Sequence, residues 1–443
     1  MNRQAFVATP RSYSPAPRVA AHQVRRTLFR PTPEMLAGLA LLSLAVAAVI
    51  GFFGVLLFFA SAALVIGIQP LTGAGQIGRL SPLLLLPLLA IVSTLWSDAP
   101  GRSMRVGLEL FLTFVAAILI CCNLRLERMI LLLFLALVVM GLLTIPYIPF
   151  SLASGTPLVA AMGSKNQVGT LGYLISALSL ALICDRAQPG PARLAAIAAA
   201  PFGLLLAWLA QSGGTTSSIA LTLIVFPPLA LLVVVRPTLR LALTMLTLCV
   251  LVAAYFFLDD IETAITEFRQ NVLKKDATLT GRTYLWEVAD RLSAARPGLG
   301  YGYGAFWRQG NIDAEGLWRW GGIASRSGFN FHNAFIGMRV DLGLVGMGLL
   351  ILNCVVILGA ALIRQIARPS VALACLVGMT TVNYFRSLVE EGLVAPFSLI
   401  TLIWLATGIY AFSRPAPTGS GAGDAGARLA AGGARGTPRR GVD

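Results

Sequence analysis

The groups in this chain that are able to do chemistry are concentrated in one stretch. Asp259 to Asn333 is the only long polar stretch between the two tails, with nine basic and nine acidic residues, most of the tryptophans and His332, one of only two histidines. Arg282 follows Gly281 at the start of an amphipathic pattern. An Arg beside a helix N-terminus makes an anion site, because unpaired N–H groups and a guanidinium fork converge there. An ordinary surface ion pair is the alternative. His332 precedes an apolar run within Phe331-His332-Asn333-Ala334-Phe335. An imidazole there can hydrogen-bond a phosphate or take a proton near neutral pH, or it can be purely structural. More polar groups fall at the ends of apolar runs: Arg102, Arg105, Lys165 with Asn166, and Arg386 with Glu390. Arg105 and Glu109 stand four apart on one helical face, as do Arg386 and Glu390, so mutual neutralisation competes with function. Charges at the middle of a span cost about 2.5–3.5 kcal/mol, which is why such residues pair or serve a purpose.

The elements that must position these groups are membrane helices. The chain has 443 residues, 57% hydrophobic and 12% charged, where soluble domains carry about 25% charged residues. Inside a bilayer every backbone polar group must be paired within the segment, so apolar runs of about 20 residues predict helices. The run from 35 to 68 fits two short spans with a break near Gly51–Gly54. Further spans are expected at 81–97, 104–122, 127–145, 168–184, 193–211, 216–235, 240–258, 334–363, 370–388 and 393–412. The fold class is thus an all-α polytopic membrane protein with about twelve transmembrane helices. A large extracytoplasmic loop separates the ninth from the tenth.

Charge sets the orientation. With twelve spans the connectors on one side carry an excess of Arg, the central loop sums to zero, and the outer helix ends cancel. The whole +15 then sits with both tails on the cytoplasmic side, as the positive-inside rule requires. Five domains follow: a basic tail (1–33), nine helices (34–258), the extracytoplasmic loop (259–332), three helices (333–412) and a Gly/Ala/Pro/Arg-rich tail (413–443). Both tails read as disordered. Arg25-Arg26 before an apolar run looks faintly like a twin-arginine signal, but a topogenic charge cluster is the better reading. Charge placed this way does not suggest nucleic acid. The six cysteines lie in or at the ends of apolar runs, so neither a disulfide framework nor a thiolate metal site is readable.

Within the loop two amphipathic helices are expected. One presents Ile261, Ile265, Phe268 and Val272, the other Leu285, Val288, Ala289 and Leu292. Next comes Gly298-Leu299-Gly300-Tyr301-Gly302-Tyr303-Gly304. No Lys-Ser/Thr follows it and no strand precedes it, so it is neither a Walker loop nor a dinucleotide fingerprint. It reads as a tight aromatic turn near the bilayer surface. The loop's Trp, Tyr and Phe side chains are open to two readings, sugar stacking or an interfacial belt.

In this order and topology, GRTYLW, GLGYGYGAF and HNAF followed by VDLGLVGMGLLIL resemble the O-antigen ligase and polysaccharide polymerase superfamily. So do the upstream WSDAPGRSMR and GSKNQVG and the downstream RSLVEEG. Together they look most like its ExoQ-like exopolysaccharide branch, over roughly residues 35–412. The resemblance implies a GT-C-like membrane glycosyltransferase in the bacterial inner membrane. It implies an undecaprenyl-diphosphate-linked glycan donor at the outer face, a glycan acceptor, and no metal, nucleotide sugar or other cofactor. Membrane lipids and a chain-length regulator or export complex are the implied partners. The family's loop Arg falls on Arg282 and its His on His332, with Glu390 as another possible base. Arg102, Arg105, Lys165, Asn166, Asn333 and Arg386 are candidates for substrate binding. The resemblance also implies that ligases decorating lipid A core carry an Arg in the turn after the seventh span; here that turn is QSGGTTSS, which favours polymerase. A ligase acting on a lipid or protein acceptor is the second reading. A flippase or permease is the third, although a transporter's polar groups would be expected near the midplane on broken helices.

Overall fold

The computed structural model describes residues 31–256 and 280–412. Residues 1–30 of the expected first tail, the whole of the expected second tail, and the loop helix expected on Ile261 to Val272 lie outside the described residues.

Among the described residues all regular structure is helical. The first apolar run breaks at Gly51 into α1 (Pro33–Ile50) and α2 (Phe52–Ile68). A 111° bend then leads into α3 (Pro70–Arg79), where Pro70 starts a new helix because proline cannot continue the old one. There follow α4 (Leu85–Val92, within a longer apolar stretch Ser81–Leu95), α5 (Pro100–Cys122), α6 (Leu126–Leu142) and α7 (Ile148–Ser154). Next are α8 (Lys165–Cys184), α9 (Gly190–Leu209), α10 (Gly213–Leu231) and α11 (Pro237–Phe256). The loop supplies α12 (Thr280–Ala295) and α13 (Ile312–Trp320). Last come α14 (Ala334–Ala367), α15 (Val371–Ser387) and α16 (Leu399–Phe412).

Seven of the described helical segments are long and apolar enough to cross a membrane, or eight if the bent pair α2–α3 is one span. Three further apolar segments, Ser81–Leu95, Pro237–Val250 and Leu399–Phe412, are shorter. α16 begins at Leu399 rather than at the expected 393. Gly392 has a positive φ of 133° and Pro396 disfavours helix in the residue before it, so 393–398 stays irregular. α5 begins earlier than expected, with Pro100 in its first turn, and so takes Arg102 into the helix alongside Arg105.

Polar contacts sort to the two ends of the bundle. At one end Arg128 pairs with Glu34 at 3.0 Å, Arg240 reaches the Ile366 carbonyl, and Arg364 reaches that of Ala411. The other end holds the loop. Between them the helices bury small polar groups against one another, such as Thr380 with Thr407 at 2.7 Å and Trp404 Nε1 donating to the Tyr384 hydroxyl at 2.8 Å. Side-chain hydrogen bonds of this kind hold membrane helices together where no hydrophobic difference from lipid exists.

The loop has a core of its own. Leu285, Val288, Ala289 and Leu292 bury one face of α12, as their spacing predicts, against Phe306, Leu317, Trp318 and Phe331. Most of the aromatic side chains are therefore packed on each other, Phe306 and Phe331 with ring centres 5.1 Å apart, instead of forming a belt. This small core is fastened to the membrane helices through a break in α14. Gly343 sits at φ 65°, ψ −162°, which interrupts the helix. The glycine-rich turn completes the broken ladder. Tyr301 and Gly302 N–H donate to the Val340 and Asp341 carbonyls at 3.0 and 2.8 Å, and Leu344 and Val345 N–H donate to Pro297 and Gly298. A Cβ at Gly343 would collide with the Gly298 carbonyl, so only glycine fits both the dihedral angles and the space.

Candidate functional site

Glu390 lies just past the end of α15, and three other parts of the chain converge on its carboxylate. Arg282 Nη2 donates to Oε1 at 3.0 Å and Asn166 Nδ2 donates to the same oxygen at 3.2 Å. His332 Nδ1 is 3.4 Å from Oε2. All three charged or titratable side chains are about three-quarters buried: Glu390 is 18% exposed, His332 25% and Arg282 27%.

Local structure explains why each group points there. Arg282 occupies the first turn of α12, whose apolar face is committed to the loop core. Asn166 occupies the first turn of α8, capped by Ser164, and its Oδ1 accepts from Ser212 Oγ at 3.0 Å. His332 has a positive φ of 51°, uncommon and strained for a side-chain-bearing residue. Its N–H is held by Asn330 Oδ1 at 2.9 Å, Trp286 Nε1 grips the preceding carbonyl at 2.8 Å, and the Phe329 ring stands edge-on to the imidazole at 5.9 Å. Asn333 caps α14 by accepting from Phe335 and Ile336 N–H, both at 3.0 Å, and its amide donates to the Leu388 carbonyl at 2.9 Å. That last bond ties the histidine segment to the connector that carries Glu390.

Two adjacent glutamates are tuned in opposite directions. Burial pushes the Glu390 pKa up, but hydrogen bonding to His332 and the charges of Arg282, His332 and Arg386 outweigh it and hold the carboxyl below its ordinary range. Glu391 is pushed up to about 8 by burial and by Asp341, with the Phe331 backbone opposing. Gly337 leaves room for it: a Cβ there would collide with the Glu391 carboxylate. The two neighbouring carboxyls are thus tuned apart, Glu390 toward its ionised form and Glu391 toward its protonated form.

Not every candidate from the sequence reaches this centre. Arg386 does not pair with Glu390 as an i,i+4 neighbour, because α15 stops at Ser387 and the helical register is lost. Instead Arg386 Nη2 donates to Thr170 Oγ1 at 2.7 Å, Nη1 reaches Ser218 Oγ at 3.4 Å, and the guanidinium lies over the Tyr173 ring at 5.7 Å. Arg105 pairs with Glu109 at 2.9 Å on an exposed face of α5, its side chain 79% exposed. Lys165 lines a separate cavity of about 430 Å³ beside Tyr147 and Phe150. Arg102 donates to the Gly304 carbonyl at 2.7 Å and faces another cavity, of about 440 Å³. Sequence reasoning missed Asn330 and Trp286, which fix the histidine backbone, as well as Glu391 and its neighbour Asp341. An Asn two residues before a His was a readable turn signal; the partnership of Glu391 and Asp341 was not.

Two comparisons bear on this arrangement. A family model described as O-Antigen ligase matches residues 200–351, a span that carries Arg282 and His332 and ends before Glu390. The Exopolysaccharide production protein ExoQ of Rhizobium meliloti (strain 1021) is 28% identical over 320 residues, covering 70% of this chain and 72% of that protein. Both comparisons thus point the same way as the resemblance of the motifs: the chain is similar to an O-antigen ligase family over the stretch that holds Arg282 and His332, and to an exopolysaccharide production protein over most of its length.

Proposed function

We propose that this chain is an inner-membrane glycosyltransferase that polymerises undecaprenyl-diphosphate-linked oligosaccharide repeats into exopolysaccharide at the outer face. It would have twelve spans and both termini in the cytoplasm. The observation that carries the reading is the convergence of Arg282, His332 and Asn166 on Glu390. In such a transfer the acceptor hydroxyl oxygen bonds to the donor's anomeric carbon. The bond from that carbon to the diphosphate oxygen breaks, and lipid diphosphate leaves. Diphosphate is a good leaving group, so catalysis chiefly needs fixed positive charge at the departing oxygens. A guanidinium has five N–H donors and stays charged. Arg282 commits Nη2 to Glu390, which aims the fork without neutralising the site's other cations.

His332 is the better of the two candidate bases. A carboxylate whose pKa is depressed by cations is a weak base. Glu390 suits the role of orienting group, accepting from His332 Nδ1 and leaving Nε2 to take the acceptor proton, the logic of a base held by a third group.

A ligase reading is favoured by the name of the matched family. Against it, the turn after α9 has no Arg; Ser212 bonds Asn166 and Ser218 accepts from Arg386. The deciding experiment is a deletion strain. Single lipid-linked repeats support the polymerase, full-length chains left on the lipid carrier support a ligase, and repeats trapped on the cytoplasmic side support a flippase.

A further inference from the structure

The loop carries a second concentration of positive charge that the reading above does not use. A cavity of about 440 Å³ is lined by Arg102, Arg308 and Arg326 together with Trp307, Trp318 and Phe329. This is a usual volume for a small-molecule pocket (about 300–1,000 Å³). No acid lines it. Two acids stand close by, Glu315 paired with Arg326 at 3.1 Å and Asp341 near enough to Arg102 for their charges to interact, so three guanidinium groups are set against two carboxylates. Arg102 spends its Nε on the Gly304 carbonyl, a neutral partner.

Two polar atoms on the lining residues have no hydrogen-bond partner. Trp318 Nε1 is buried, on a side chain only 3% exposed, and Arg308 Nε is likewise buried. Buried donors without partners are rare and costly, roughly 1–3 kcal/mol each, and both of these belong to residues of the cavity wall. The remaining wall is aromatic face. Trp307 packs on Phe329 at 5.4 Å and on Trp318 at 6.0 Å, so the rings are held by one another and by the loop core. Flat apolar faces complement the C–H faces of a sugar ring, and guanidinium forks complement a carboxylate.

We propose that this cavity binds an anionic saccharide, a sugar residue bearing a carboxylate, as part of the glycan being handled. The proposal rests on the glycan-transfer reading for the identity of the chain and adds the ligand class. Position favours it: Phe329, a wall of the cavity, stands against the His332 ring at 5.9 Å, so a glycan seated here extends toward the transfer centre. The cavity and the diphosphate-binding groups then act on one substrate from two sides of a single aromatic side chain.

The test is equilibrium binding to the full-length protein in lipid nanodiscs, read by tryptophan fluorescence. A short oligoglucuronate should change the signal saturably. A neutral cello-oligosaccharide of equal length should bind at least about tenfold more weakly, the factor that one charge-assisted hydrogen bond supplies. Arg308→Gln and Arg326→Gln should each weaken oligoglucuronate binding by a similar factor, while Arg282→Ala should leave it unchanged. Equal binding of the neutral sugar, indifference to Arg308→Gln, or displacement of the oligoglucuronate by inorganic diphosphate overturns the proposal. Loss of binding in Arg282→Ala would merge the two sites and overturn it as well. The readout needs no turnover. Failure of the polymerase reading in the deletion strain would therefore be seen separately from failure here.

Discussion

The Glu390 cluster and the aromatic cavity of the loop both gather arginines, and they treat the charge differently. At Glu390 the cation Arg282 is met by a carboxylate that also contacts an imidazole and an amide. In the cavity three guanidinium groups are met by only two carboxylates, Glu315 on Arg326 at 3.1 Å and Asp341 near Arg102, and otherwise face aromatic rings. A compensated cation is held in place and can be aimed; an uncompensated group of cations attracts. The first suits a step in which charge develops at a defined atom, the second suits holding a ligand that arrives already charged.

Substitutions can break this contrast. The largest effect is expected from His332→Ala, which removes the proton acceptor and should lower chain-growth turnover by about 10²–10⁴-fold, measured on lipid-linked repeats in membranes. Arg282→Ala should cost about 10²–10³-fold, and long-chain glycan should vanish on gels while the protein stays in the membrane. Wild-type chain length in either variant would show that the compensated cluster is not the transfer centre.

A smaller effect sharpens the electrostatics. Burial, helped by Asp341, pushes the Glu391 carboxyl up to about 8 from an ordinary value of 4.5. The folded state therefore holds a proton that the unfolded state gives up, and Glu391's contribution to stability is present below about pH 4.5 and lost as pH rises toward 8. Thermal unfolding of Glu391→Gln should gain stability over wild type at pH 8 and little at pH 5. Glu390 works the other way, stabilising above its ordinary value and losing that contribution on acidification. Equal melting shifts at both pH values would remove the buried-acid account. The smallest effect is expected for Arg105→Ala, whose exposed pair with Glu109 should leave both chain growth and melting unchanged.

The sequence showed local periodicity well and distant partnership poorly. The i, i+3, i+4, i+7 pattern from Leu285 to Leu292 is the buried face of α12, and the break at Gly51 separates α1 from α2. Arg282 and His332 stood out within the one polar stretch, and Glu390 as a charge at the end of an apolar run. Their meeting was not legible, because residues 108 and 58 positions apart are joined only by tertiary packing. Spacing suggested an Arg386–Glu390 helical pair, and the end of α15 at Ser387 cancelled it. Arg308 and Arg326 look like ordinary solvated loop charges until the folded aromatic wall gives them a cavity.

The interruption at Gly343 has a consequence for assembly. The backbone ladder of the longest helix is completed by residues some forty positions upstream, through four bonds that cross between 297–302 and 340–345. Neither partner can reach its final hydrogen bonding alone. The loop core and α14 must therefore mature as one cooperative unit, and a nick between Pro297 and Gly302 would loosen a helix whose own peptide bonds are intact.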